Sequence, residues 1–183
     1  MVRALTWVSL LAAAQLFGCG PHEEDDGLPA PQGVDVAVYP ENGHPLRTVT
    51  GDADILAIED DLNKLTNDHR ASLGLAALVH VPAVRETARA HSKHMAVHGF
   101  YAHVNPEGDD VGDRLTAVGY SWRSAGENLV VDRDSAQAAF QAWLDSPGHR
   151  ANLEKAKWRE AGMGYWRGGS YGTYYSQNFV EPP

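Results

Sequence analysis

Residues 20–53 confine whatever folds in this 183-residue chain to the part that follows them. They hold seven acids (Glu23, Glu24, Asp25, Asp26, Asp35, Glu41 and Asp52) against one base, Arg47. Proline and glycine recur through the stretch, as in Pro21, Gly27, Pro29, Pro31, Gly33, Pro40 and Pro45. Such a composition buries too little apolar surface to offset the entropy of ordering the chain, and it reads as an extended, charged tether. The Glu23–Asp26 run is a solvated spacer, because it lacks the alternating ligands and central glycine of a calcium loop. The segment carries −6 of the formal net charge of −9, so the acidity of the whole chain says little about its folded part.

The residues before the tether have an equally definite pattern. Arg3 precedes an apolar run over 4–17, and Gly18-Cys19 follows it. A positive start, a short apolar stretch and a small residue describe a secretory signal peptide. The run is shorter than the ~20 residues of a spanning helix. Leu16-Phe17-Gly18-Cys19 resembles a bacterial lipobox, although Phe17 is bulkier than the usual residue there. That resemblance implies cleavage before Cys19, lipidation of its thiol and new amino group, and a membrane anchor through that lipid. An ordinary signal peptide, and so a secreted protein, is the alternative. The expected division is a signal over 1–18, a lipidated Cys and tether over 19–53, and one domain over 54–183.

The domain pattern alternates helices with a few strands. Asp54 is a candidate N-cap, followed by Ile55, Ile58, Leu62, Leu65, His69 and Leu73 at helical spacing, with Gly74 ending the helix. A second helix is expected from Pro82 to Gly99, a third over about 110–118 and a fourth over about 134–145, with a further turn over 149–153. Residues 126–131 suggest a strand. Ala161–Trp166 and Thr173–Val180 form a hairpin across Gly168-Gly169-Ser170. The fold class is therefore α+β with a small antiparallel sheet.

Several chemistries are excluded. One cysteine allows neither a disulfide framework nor a Cys-rich zinc module. There is no nucleophile elbow and no nucleotide-binding glycine pattern. An acidic chain with pI ≈ 5.4 is a poor match for nucleic acid. His94 and His98 share a helix face, but Met95 stands where a zinc protease would carry its glutamate, so these two and His91 read as surface or core-edge residues. The 162–172 stretch reads as hairpin turn chemistry. His103, Glu127, Asn128 and His149 remain, as polar residues at the ends of elements.

Their order and spacing resemble the CAP superfamily (cysteine-rich secretory proteins, antigen 5 and pathogenesis-related 1 proteins), in its bacterial SCP-like branch. The resemblance runs through Asn67-x-x-Arg70-x-x-x-Gly74-Leu75, His91-Ser92-x-x-Met95, Gly99-Phe100-x-x-His103 and Gly126-Glu127-Asn128-Leu129. It continues through Trp143-x-x-Ser146-Pro147-Gly148-His149-Arg150-x-Asn152, Gly162-x-Gly164 and Gln177-Asn178-Phe179. It implies an α-β-α sandwich with a cleft containing His103, Glu127, Ser146 and His149. The family's second cleft acid falls on Ser146 here, which weakens any mechanism needing two acids. The resemblance also implies that His103 and His149 are the residues to hold a divalent metal such as zinc. Glu127 can then serve as a third ligand, fix an imidazole tautomer, or brace the loops through backbone bonds.

The expected function is an extracytoplasmic, membrane-tethered, non-enzymatic module that binds an envelope or extracellular ligand, lipid among the candidates, through this cleft. Two alternatives stand beside it. One is a metal-dependent hydrolase of peptide or cell-wall substrates with Glu127 as general base. The other is a lipid or sterol carrier.

Overall fold

The structure, a computed structural model, describes residues 50–183. The signal, Cys19 and nearly all of the tether lie outside these residues. Helix α1 spans Ala53–Ser72, and its N-cap is Asp52 rather than Asp54, because Asp52 Oδ1 accepts the Ile55 N–H at 2.9 Å. Asp54 lies within the first turn, where a negative charge suits the helix dipole. The other end closes as a Schellman motif. Leu75 N–H reaches Arg70 O at 2.9 Å, Gly74 N–H reaches Ala71 O at 3.0 Å, and Gly74 takes φ of 70°.

Strand β1 (Val79–His80) precedes α2 (Pro82–His98), and α3 (Val111–Ala117) follows a loop. Then come β2 (Ser124–Val131), α4 (Ala136–Asp145), α5 (Pro147–Leu153), β3 (Glu160–Arg167) and β4 (Thr173–Glu181). The sheet order is β1-β3-β4-β2. The hairpin β3–β4 and the pair β2–β4 are antiparallel, as expected, but the short β1 pairs parallel to β3. Two residues are too short a run for alternation to announce a strand.

The sheet has two covered faces. Ala161, Met163 and Tyr165 of β3 and Tyr175 and Phe179 of β4 join Leu62, Phe140 and Trp143 in the main core, under α1 and α4. On the other face, Met95 packs with Leu129 and Tyr174, and Val84 with Leu115 and Val180, under α2 and α3. The result is an α-β-α sandwich. Each large side chain buried in it contributes roughly 1.5–3 kcal/mol. The close approach of α2 to β3 depends on two glycines. A Cβ on Gly162 would lie 2.2 Å from Arg85 N, and one on Gly164 would lie 2.2 Å from Ala88 C. These residues belong to a strand pressed against a helix backbone. The turn itself is left to Gly168, Gly169 and Gly172, all at positive φ.

The buried face of α1 differs from the apolar stripe. It consists of Glu59, Leu62, Thr66 and Arg70, while Leu73 is half exposed. Each polar member has partners that make burial tolerable. Glu59 takes bonds from Arg85 Nε at 2.5 Å and Arg89 Nε at 2.7 Å. Its Oε1 also accepts the Tyr165 N–H at 3.1 Å, on the side of β3 where β1 has already ended. Arg70 donates to the carbonyl oxygens of Ala76, Leu153 and Lys155.

Candidate functional site

Glu127 sits on edge strand β2, on the face covered by α2 and α3. Its side chain is 2% exposed, and both oxygens are engaged. Arg114 of α3 donates to Oε1 at 2.5 Å, and His103 Nδ1 lies 2.9 Å from Oε2. Burial by itself would raise the pKa of this carboxyl, but the Arg114 charge and the His103 hydrogen bond outweigh it and hold the pKa below its usual value. Glu127 is therefore a carboxylate and accepts only, so His103 Nδ1 is the donor. The hydrogen bond in turn raises the pKa of His103. In neutral His103 the available lone pair is then on Nε2.

The loop that carries His103 is held from three sides. Arg114 donates a second N–H to His103 O at 3.0 Å and to Asp109 O at 3.0 Å. Asn105 Oδ1 accepts the Asp109 N–H at 2.7 Å. Beneath the loop, His91 Nε2 donates to Ala102 O at 3.0 Å and lies 4.0 Å from Glu127 Oε2. Burial lowers the His91 pKa to about 4, despite the nearby carboxylate. His91 Nδ1 has no hydrogen-bond partner among the described residues, as befits a neutral ring. His91 and His94 are thus both buried, contrary to the surface or core-edge reading. His94 lies 3.7 Å from Glu107 and packs edge-on against Phe100 with ring centroids 5.0 Å apart.

His149 arrives from the other side of the β2 edge. Pro147 opens α5 in the first helical position, two residues earlier than the sequence suggested. Asn152 Nδ2 donates to Glu127 O at 3.3 Å and Asn128 Oδ1 at 3.0 Å, and Asn128 Nδ2 donates to His149 O at 3.1 Å. The same Asn128 amide reaches Gln177, which donates to Thr66 of α1. A polar chain therefore ties α5, β2, β4 and α1 together and fixes the backbone of His149. The half-buried His149 ring has a lowered pKa, first from burial and then from the charge of His103.

The structure thus brings His103 and Glu127 into contact and His149 within electrostatic range. Ser146 is the N-cap of α5, the helix that carries His149, and at this α4–α5 junction it lines a depression with Arg133, Gln141 and Asp145. Arg114 and His91 were missed. A lone arginine in a short helix and a histidine in register with Ala88 and Met95 carry no local signal of their spatial partner.

These donors suit a divalent metal in one specific way. A carboxylate behind one histidine is the arrangement that orients a ligating imidazole. His149, held neutral, is a ready ligand. Each Glu127 oxygen is already bound by a neighbouring side chain, and among the described residues no group of three or more His, Cys, Asp or Glu is arranged to hold an ion. The pair would leave most of the coordination sphere to solvent or to a bound molecule.

Comparison with known proteins agrees with this architecture. Residues 64–179 match the family described as "CAP: Cysteine-rich secretory protein family". The chain is 29% identical over 133 residues to the uncharacterized protein YkwD of Bacillus subtilis, covering 73% of this chain and 51% of that one. It is 32% identical over 123 residues to the uncharacterized membrane protein YlbC of the same organism, covering 67% of this chain and 34% of that one. The chain thus spans about half or less of these relatives. An extracellular SCP-domain protein from Bacillus anthracis superposes with a TM-score of 0.64 at 29% identity, over 73% of this chain and 45% of that one. An outer surface protein of Borrelia burgdorferi gives 0.63 at 17% identity, over 68% and 92% of the two chains, a likeness of fold alone. Among the described residues no helix is long and apolar enough to cross a membrane. With the family pattern matched across most of the domain and the sandwich formed around it, this chain belongs to the CAP family of cysteine-rich secretory proteins.

Proposed function

We propose that this chain is an extracytoplasmic, membrane-tethered module that binds a ligand through the cleft at His103 and His149 without catalysing a reaction. The observation that carries this reading is that both oxygens of Glu127 are paired. One oxygen is held by Arg114 and the other by His103, so the carboxylate orients an imidazole instead of accepting a proton from water. The hydrolase alternative requires Glu127 as a free base, and this arrangement disfavours it. The extracytoplasmic placement draws on the Bacillus anthracis relative, described as extracellular, and on the lipobox-like end of the signal.

Titration of the full chain with zinc chloride by calorimetry tests the cleft. Wild-type protein should bind zinc saturably, and the His103→Ala/His149→Ala double variant should lose that binding while keeping its circular dichroism spectrum. Equal zinc binding by both proteins overturns the assignment of the histidine pair. Chelator-sensitive hydrolysis of peptide or cell-wall substrates would replace the non-enzymatic reading with the hydrolase. For the anchor, mass spectrometry of membrane-extracted protein should find a diacylated Cys19, with the Cys19→Ser variant released to the soluble fraction.

A further inference from the structure

The depression that contains Ser146 lies along α4. It has a volume of about 570 Å³ and is lined by Arg133, Ala138, Gln141, Ala142, Asp145 and Ser146. Its two ends carry opposite charge. At one end, Arg133 is presented on a rigid backbone. Its N–H donates to Thr173 Oγ1 at 2.9 Å, and its carbonyl accepts from Thr173 Oγ1 and Tyr175 Oη, each at 2.8 Å. The preceding Asp132 takes φ of 56°, a left-handed conformation uncommon for a residue other than glycine. Among the described residues one guanidinium N–H is engaged, donating to Asp132 O at 2.6 Å, and no carboxylate pairs with Arg133. The remaining donors suit a two-pronged bond to a carboxylate.

The other end holds Asp145 and Ser146. Asp145 Oδ1 accepts from Gln141 at 2.9 Å, and Ser146 makes no capping bond with its hydroxyl. Between the ends, Ala138 and Ala142 form a floor of small side chains. The helical stretch from Ala138 to Asp145 spans roughly 10 Å at the α-helical rise. An extended peptide of three residues spans about the same distance, at ~3.3–3.6 Å per residue.

We propose that this depression is a second binding site, which takes the carboxylate terminus of a short peptide at Arg133 and its ammonium terminus at Asp145. Neither His103 nor His149 lines it, although Ser146 is the N-cap of α5, which carries His149. The small floor selects peptides with small side chains, and the charge at each end selects free termini over internal segments.

The test uses the full chain and three probes: triglycine, triglycinamide, which lacks the carboxylate, and N-acetyl-triglycine, which lacks the ammonium. Titrations are followed by NMR. Triglycine should bind saturably. Triglycinamide binding to wild type, and triglycine binding to Arg133→Gln, should each be weaker by about tenfold or more. N-acetyl-triglycine, and the Asp145→Asn variant with triglycine, should each show a severalfold loss. Arg133 is held through its backbone, so Arg133→Gln should keep the wild-type thermal midpoint. If it does not, the ligand variants against wild-type protein decide the matter. The His103→Ala/His149→Ala variant should bind triglycine as wild type does, which separates failure here from failure of the cleft. Equal affinity for triglycine and triglycinamide, unchanged binding by a folded Arg133→Gln, or no saturable triglycine binding would each overturn the proposal.

Discussion

His103 Nδ1 lies 2.9 Å from Glu127 Oε2, and this contact makes the exposed ring dependent on a carboxylate that is itself buried. Replacing Glu127 with Gln removes the charge that Arg114 and His103 share. The 9%-exposed Arg114 side chain is then left without a counter-ion, and breaking a buried pair this way costs about 3–5 kcal/mol. Denaturant unfolding of Glu127→Gln should show a loss of that order. NMR titration should show the His103 pKa falling, because the hydrogen bond and charge that raise it are gone.

Acid should destabilise the fold through His91. Its folded pKa of about 4 is below the unfolded value of about 6.5, so the unfolded chain takes up the proton first. The stability held by neutral His91 is complete above about pH 6.5 and is lost as pH falls towards about 4, for a total of about 3 kcal/mol. His103 works in the opposite sense. Its raised pKa gives stability that is present below about pH 6.5 and lost as pH rises through the folded pKa. Urea unfolding across this range should show a steeper loss on acidification in wild type than in His91→Gln.

Gly164→Ala should be among the most damaging single-methyl changes in the domain. The added carbon would meet the α2 backbone at 2.2 Å, where no side-chain rotation brings relief. A loss of about 3 kcal/mol or more is expected, measurable as a shift in the urea midpoint. Gly148→Ala is the control, since a Cβ there meets nothing within 4 Å.

Glu59 offers a comparison with Glu127. It is fully buried against Arg85 and Arg89 and contributes nothing to the cleft. Glu59→Gln should cost about 3–5 kcal/mol in denaturant unfolding. Zinc binding by the remaining folded protein should match wild type.

The sequence was most readable where a local rule decides the structure. Asp110, Gly99 and Ser135 bound helices by capping or by φ, and the helices they bound fall close to the expected positions. The hairpin followed from its glycines and aromatic residues. The α1 face was less readable, because Glu59 and Arg70 are buried largely by partners far away in the chain, Arg85 and Tyr165 for Glu59 and the Leu153 and Lys155 carbonyls for Arg70. Spacing says nothing about such pairings. The same holds at the site. His103, Glu127 and His149 were identified by resemblance, while Arg114 and His91 came only from the fold.

The polar contacts at the two sides of the sheet have a further effect. β1 pairs with β3 over only two residues, and beyond it Glu59 occupies the Tyr165 amide. At the opposite side, Asn152 occupies the Glu127 carbonyl. Each contact takes up a main-chain group that a strand from a neighbouring molecule would otherwise use. Such side-chain plugs would hinder adjacent copies from zipping into a shared sheet. Asn152, which helps fix the backbone of His149 through Asn128, would thereby also help keep the molecules apart.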